Sequence, residues 1–132
     1  MDCLFCKFAN KELETHILYE DDIALVFLDI DQKVLGHTLV IPKQHYEDIT
    51  EIPDDILIHL KHLMIKVSNI ILETFNKNAV SYIVNYKDSQ VIKHLHIHIC
   101  PNFNFEENTT LSEQEIYDIL KDKFKRGCRE IK

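Results

Sequence analysis

The sequence predicts an α+β fold: an antiparallel, half-barrel-like sheet with a long central helix and a C-terminal helix. Three observations predict it. Short alternating apolar segments bounded by polar turns lie on both sides of the chain's middle. Between them runs one long stretch with apolar residues at helical spacing. The resulting order is strands, helix, strands, helix, which segregates the helices from an antiparallel sheet instead of interleaving them with parallel strands. A chain of 132 residues suits a single domain over 1–132. No repeat, low-complexity tract or linker divides it.

Each element has its own cause. Residues 1–10 are apolar-rich (Leu4, Phe5, Phe8) and predict a short helix or clip. Residues 16–20 and 23–29 read as two strands, with a tight turn at Glu20-Asp21-Asp22. In the second, Leu25, Phe27 and Asp29 share one face, and Ala24, Val26 and Leu28 the other. Residues 36–41 form a third strand closed by Pro42. The stretch 53–75 carries Ile56, Leu60, Leu63, Met64, Val67 and Ile71 on one helical stripe, with Pro53 at its first turn. Residues 80–86 and 91–100 predict two more strands around a polar turn at Lys87-Asp88-Ser89. A last helix covers 113–126, opened by a Ser112/Glu115 capping box, with Lys123, Lys125 and Arg126 in its final turn and Gly127 as its cap.

Composition narrows the function classes. Hydrophobic residues at 45% and charged residues at 28% belong to a globular chain, not a disordered one. Fifteen Lys+Arg against 22 Asp+Glu give a net charge of -7. A surface that tracks a nucleic acid backbone is excluded on that balance. The two arginines, Arg126 and Arg129, lie near the C-terminus, so phosphate chemistry upstream must use His, Lys or backbone amides. The longest apolar run, 23–28, is far short of the ~20 residues a membrane span needs. The opening residues show no basic targeting region. A soluble, cytoplasmic protein is expected. In that setting Cys3-x-x-Cys6 reads as a metal or redox pair before it reads as a disulfide.

The informative segment is His94-Leu95-His96-Ile97-His98-Ile99. On a strand, residues two apart point the same way, so His94, His96 and His98 line one face, neighbours roughly 6–7 Å apart. Leu95, Ile97 and Ile99 line the opposite face. One buried His is ordinarily a satisfied core group, whereas three in strict alternation present a row of imidazoles to a cleft. Two chemistries remain open on the residues alone, a His-only metal site and a His nucleophile. Imidazole is a good nucleophile towards phosphorus near neutral pH, its ordinary pKa being ~6.5, and a neighbouring imidazole can serve the leaving group. Three ligands on a straight strand converge poorly on one ion.

With its His-apolar-His-apolar-His-apolar run, the chain resembles the histidine triad (HIT) superfamily. Gly36-His37-Thr38-Leu39-Val40-Ile41-Pro42-Lys43 with His45, Leu28-Asp29-Ile30, Asn85 and Gln90 fall in the same order and spacing as the family pattern. Cys3-Leu4-Phe5-Cys6-Lys7 is similar to the opening of zinc-containing bacterial members. The resemblance covers residues 3–101 and leaves 102–132 as a tail with a helix. It implies a nucleoside phosphoramidase or nucleotidyl hydrolase that binds a purine nucleotide and forms a homodimer through the central helix and a sheet strand. Carried over by position, His96 is the nucleophile, His98 contacts phosphate or leaving group, and His37 supports both imidazoles. Asp29, with Ile30 beside it, holds the ribose, and Phe5, Phe8, Leu13 and Phe27 hold the base. Asn85 contacts phosphate, and Gln90 precedes the triad at the nucleotide. Cys3, Cys6, His45 and His94 imply a closed structural zinc site.

Three positions depart from the pattern. The loop 85–90 lacks the glycines that let backbone amides approach phosphate. Val91 stands where a hydroxyl commonly touches it, and Asn102 stands where Arg is frequent. These leave two rivals, a dinucleoside-polyphosphate hydrolase and a nucleotide-binding regulatory protein with weak catalysis, and suggest substrate contact by Lys87. His16, His59 and His62 are expected at the surface. Cys100 is expected as a small buried residue, and Cys128 as inert.

Overall fold

A computed structural model describes residues 3–32, 34–101 and 111–127. In chain order these form α1 (Leu4–Ala9), β1 (Ile17–Glu20), β2 (Ala24–Leu28), β3 (Thr38–Pro42), α2 (Asp54–Phe75), β4 (Val80–Val84), a 3-10 turn (Lys87–Ser89), β5 (Ile97–Pro101) and α3 (Glu113–Gly127). The strands make one antiparallel sheet in the order β1-β2-β3-β5-β4. The α+β class and the open antiparallel sheet agree with the expectation. Asn102 and Cys128 lie outside the described residues.

Strand alternation sends β2 into two cores. Ala24, Val26 and Leu28 join Leu60, Leu63, Val67 and Ile71 of α2 and Ile116, Leu120 and Phe124 of α3. Leu25 and Phe27 face the other way and pack with Phe5, Leu39 and Ile41 under α1. Both faces of this strand are therefore covered, which is why all five residues are apolar and buried. The N-terminal arm covers the face where Asp29 emerges, and that placement makes the site.

Three local expectations need correction. The strand over 91–100 begins only at Ile97. Upstream, Leu95 N–H donates to Tyr46 O at 2.7 Å, and His94 O accepts from the His96 ring at 2.7 Å. Those groups are spent outside the ladder, so segment 91–96 leaves the sheet. The inward-outward alternation nonetheless persists, with Leu95, Ile97 and Ile99 buried in the α2 core. Pro53 is the N-cap of α2 with extended backbone, not a residue of its first turn. Gly127 is the last helical residue of α3, not a cap beyond it. A Cβ there would meet Ile70 Cδ1 at 2.7 Å, so this glycine lets α3 approach α2 closely.

Candidate active site and metal cluster

The row of histidines splits into two jobs because His94 and His96 are fixed by different backbone carbonyls and through opposite ring nitrogens. His94 Nε2–H donates to Pro42 O at 2.8 Å. Its Nδ1 lone pair therefore points at Cys3 Sγ (3.3 Å) and Cys6 Sγ (3.4 Å). His45 Nδ1 lies 3.3 Å from Cys6 Sγ. The ligand atoms of Cys3, Cys6, His45 and His94 all fall within 4.8 Å of one another. Two thiols and two imidazoles make a donor set suited to zinc, and the carbonyl on His94 fixes the ligating tautomer as an outer-shell partner does. Burial pushes His94 down to about 4 and, with Cys3 beside it, pushes the Cys6 thiol up to about 11. His94 is thus a neutral imidazole, and a metal ion would displace the thiol protons. Cys3 also caps α1, accepting from Cys6 N–H at 3.4 Å.

His96 is oriented the opposite way round. Its Nδ1–H donates to His94 O at 2.7 Å, which leaves the Nε2 lone pair uncommitted by that bond. Burial lowers its pKa, so the ring stays neutral. His98 is gripped at both nitrogens: Nδ1 lies 3.0 Å from His37 Nε2, and Asn85 Nδ2 donates to Nε2 at 3.4 Å. Burial first, then the neighbouring His96 and His37, bring His98 down to about 4. Asp29 Oδ2 stands 3.6 Å from His37 Nε2. Gln32 fastens this corner, donating to both Asp29 O (2.8 Å) and His37 O (2.7 Å) while accepting from Gly36 N–H (2.9 Å). Sequence reading missed Gln32, because a single exposed-looking Gln in a loop carries no pattern.

His96 and His98 open into a cavity of about 1100 Å³. Phe5, Phe8 and Phe27 form an aromatic cluster along it, with ring centroids 5.4 to 6.1 Å apart. Phe5 also meets His96 edge-on at 5.0 Å. Leu13, Asp29, Ile30 and Asn85 line the same space. Gln90 does not: it is buried and its amide donates to Glu47 O at 2.8 Å. Lys87 is also elsewhere, its Nζ 5.3 Å over the Tyr86 ring. Val91 stands 94% exposed at the cavity's mouth. Ser89 does not replace the missing hydroxyl, because its Oγ is bonded to Tyr86. Cys100 is fully buried.

Two histidines expected at the surface are partnered. His59 Nε2 meets Asp21 Oδ2 at 2.7 Å, tying α2 to the β1–β2 turn. His16 lines the cavity, with Nδ1 2.6 Å from Glu113 Oε2 and Nε2 3.0 Å from Gln114 Oε1. His62 is exposed. The C-terminal helix thus walls the cavity through Glu113 and Tyr117, a role that no residue pattern announces.

Comparison with known proteins agrees with this geometry. The HIT domain profile matches residues 10–105. An adenylylsulfatase of Arabidopsis thaliana is 37% identical over 102 residues, which are 76% of this chain and 52% of that protein. An adenosine 5′-monophosphoramidase of Schizosaccharomyces pombe is 34% identical over 107 residues, 80% of this chain and 78% of that one. The crystal structure of a Zn-bound histidine triad family protein from Mycobacterium smegmatis superposes with a TM-score of 0.83 at 25% identity, covering 96% of this chain and 95% of that one. With the profile spanning most of the chain and these relatives beside it, the chain belongs to the HIT domain family.

Proposed function

We propose that the chain hydrolyses a purine nucleoside phosphoramidate, or a mixed anhydride, at the α-phosphorus through a nucleotidyl-His96 intermediate. One observation carries the reading: the His96 Nδ1–H bond to His94 O aims an unprotonated Nε2 into a nucleotide-sized cavity. Nε2 attacks phosphorus, and the bond to the leaving group breaks. Water then attacks the same phosphorus, the P–N bond to His96 breaks, and the nucleoside monophosphate is released. His98, set by His37 and Asn85, stands beside the phosphate and the leaving group, and Asp29 accepts from the ribose hydroxyls. The departing nitrogen takes up one proton from solvent water as its bond to phosphorus breaks, so that it leaves as a neutral amine, and the water that attacks in the second step returns that proton.

The dinucleoside-polyphosphate reading is weaker on charge. Lys11 is the one Lys or Arg among the described residues lining the cavity, and it is paired with Glu20 at 2.6 Å. Glu14, Asp29 and Glu113 line it too. A polyphosphate chain would find little cationic support there. The names of the two curated relatives, a phosphoramidase and an adenylylsulfatase, agree with a single nucleotide and a small leaving group.

Cys3, Cys6, His45 and His94 would hold a structural zinc, four protein ligands leaving no open position. When bound, the ion supplies a cross-link between the N-terminal arm and the sheet. Free thiols of this kind belong in a reducing compartment, the cytoplasm. A second copy of the chain is proposed against α2 and β4. There Ile58 (55% exposed), Ile65, Tyr82 and Val84 leave apolar surface beside an edge strand. Among the described residues no helix is long and apolar enough to cross a membrane.

The test is trapping of the adduct with a denaturing alkaline quench, because a phosphorus–imidazole bond is labile in acid. Wild type mixed with adenosine 5′-phosphoramidate and quenched early yields a nucleotidyl adduct on His96. His96→Ala hydrolyses neither this substrate nor diadenosine tetraphosphate, yet binds AMP within about tenfold of wild type, ~1.4 kcal/mol. Full activity in the variant, or an adduct on another residue, overturns the reading.

A further inference from the structure

The α3 wall of the cavity takes no part in the chemistry above, and it lies outside the residues 10–105 that the family profile matches. Its geometry is unusually well fixed. His16 is clamped by α3 from three sides: Glu113 Oε2 at Nδ1, Gln114 Oε1 at Nε2, and the Tyr117 ring stacked at 4.7 Å and 25°. Gln114 is itself oriented, its Nε2 donating to Asp118 Oδ1 at 3.1 Å. The clamp pins the Glu113 carboxylate through one oxygen. The other, Oε1, carries no hydrogen bond among the described residues, and the side chain faces the cavity.

The wall meets the cavity beside the sugar position at Asp29. Leu28 N–H donates to His16 O at 3.1 Å, which sets His16 beside the Asp29–Ile30 corner. A nucleotide with its phosphorus at His96 and its sugar at Asp29 therefore extends its base towards α3. Leu13, Ile17 and Tyr117 line the cavity with the acceptors Glu14 and Glu113, while its cation Lys11 is paired with Glu20.

We propose that Glu113 reads the edge of the base and gives the site a preference for guanine. This deepens the nucleotide reading of the cavity and rests on it. An ionised carboxylate only accepts hydrogen bonds. Guanine presents N1–H and its 2-amino group side by side, two donors for one carboxylate. Hypoxanthine lacks the amino group. Adenine sets the lone pair of N1 beside its 6-amino group, so one donor comes with an acceptor that the carboxylate repels. Prior fixation by His16 spares the carboxylate an ordering cost on binding.

Calorimetric titration of the full chain with GMP, IMP and AMP tests this without turnover. In wild type GMP binds more tightly than IMP or AMP by about tenfold, the scale of one charge-assisted hydrogen bond. In Glu113→Gln the GMP-over-IMP preference shrinks to within about twofold, and AMP gains on GMP, because a carboxamide offers adenine one donor and one acceptor. Glu113→Asp keeps the charge and retains a preference for GMP over IMP. Binding of all three with equal affinity in wild type, or a preference that survives in Glu113→Gln, overturns base reading and leaves the nucleotide site standing. Equal weakening of all three bases in both variants marks a wall that only shapes the cavity, and overturns it too. Absence of binding by any monophosphate overturns the nucleotide reading and this inference with it.

Discussion

At the scale of single residues, burial holds His96 and His98 neutral. Burial depresses both His96 and His98, His98 to about 4. The rate should therefore be flat around neutrality and fall only well below the ordinary histidine value of about 6.5. A pH profile of kcat/KM with an acid limb centred at or above 6.5 would contradict this. The same shift bears on stability. Between about 6.5 and about 4 the unfolded chain binds a proton at His98 that the folded chain refuses. That contribution is complete above about 6.5 and is lost as pH falls towards 4. Melting temperatures of metal-free wild type should drop across this window, and His98→Asn should flatten the drop. Equal slopes in the two proteins would rule it out.

At the scale of elements, two glycines separate conformational from steric need. Gly36 has φ +89°, and a Cβ there would meet Ile71 Cγ2 at 2.8 Å and Pro101 Cγ at 3.3 Å. Gly36→Ala suffers both penalties and should lose roughly 2 kcal/mol or more. Gly127→Ala meets only the flexible end of Ile70 and should lose less than about 1 kcal/mol. Urea unfolding with an unchanged m-value checks the order, and a reversed order refutes it. Much of the element pattern was legible because it rests on periodicity. The α2 stripe and the two faces of β2 follow from spacing alone. The start of β5 was not legible, because Leu95 and His94 spend their backbone groups on Tyr46 and a ring nitrogen, partners that alternation cannot reveal. At the site, the clustering of Cys3 and Cys6 with His45 and His94 followed the family pattern. Gln90 went to Glu47 instead of the cavity, and His16 became a wall residue only because α3 arrives to bind it.

At the scale of the whole molecule, the two cores set the cysteine-histidine cluster apart from α2. The thiols sit with α1 on one side of the sheet, and α2 packs on the other. Zinc content near one per chain is expected, together with twice the monomer mass by light scattering. Cys3→Ser should lose the zinc and several degrees of melting temperature yet remain a dimer. Unchanged zinc in this variant would reduce Cys3 and Cys6 to bystander thiols. A monomeric wild type at micromolar concentration would remove the proposed α2–β4 contact.

The Cys3–His94 contact spans 91 residues, and that separation has a consequence during synthesis. At ribosomal speeds of ~5–20 residues per second, Cys3 and Cys6 emerge roughly 5–20 s before His94. For that interval the adjacent pair of thiols, joined partway by His45, waits for the His94 imidazole that completes the cluster. A soft metal ion or an oxidant that arrives then meets a half-built site, and closing the N-terminal arm over the sheet becomes one of the final acts of maturation.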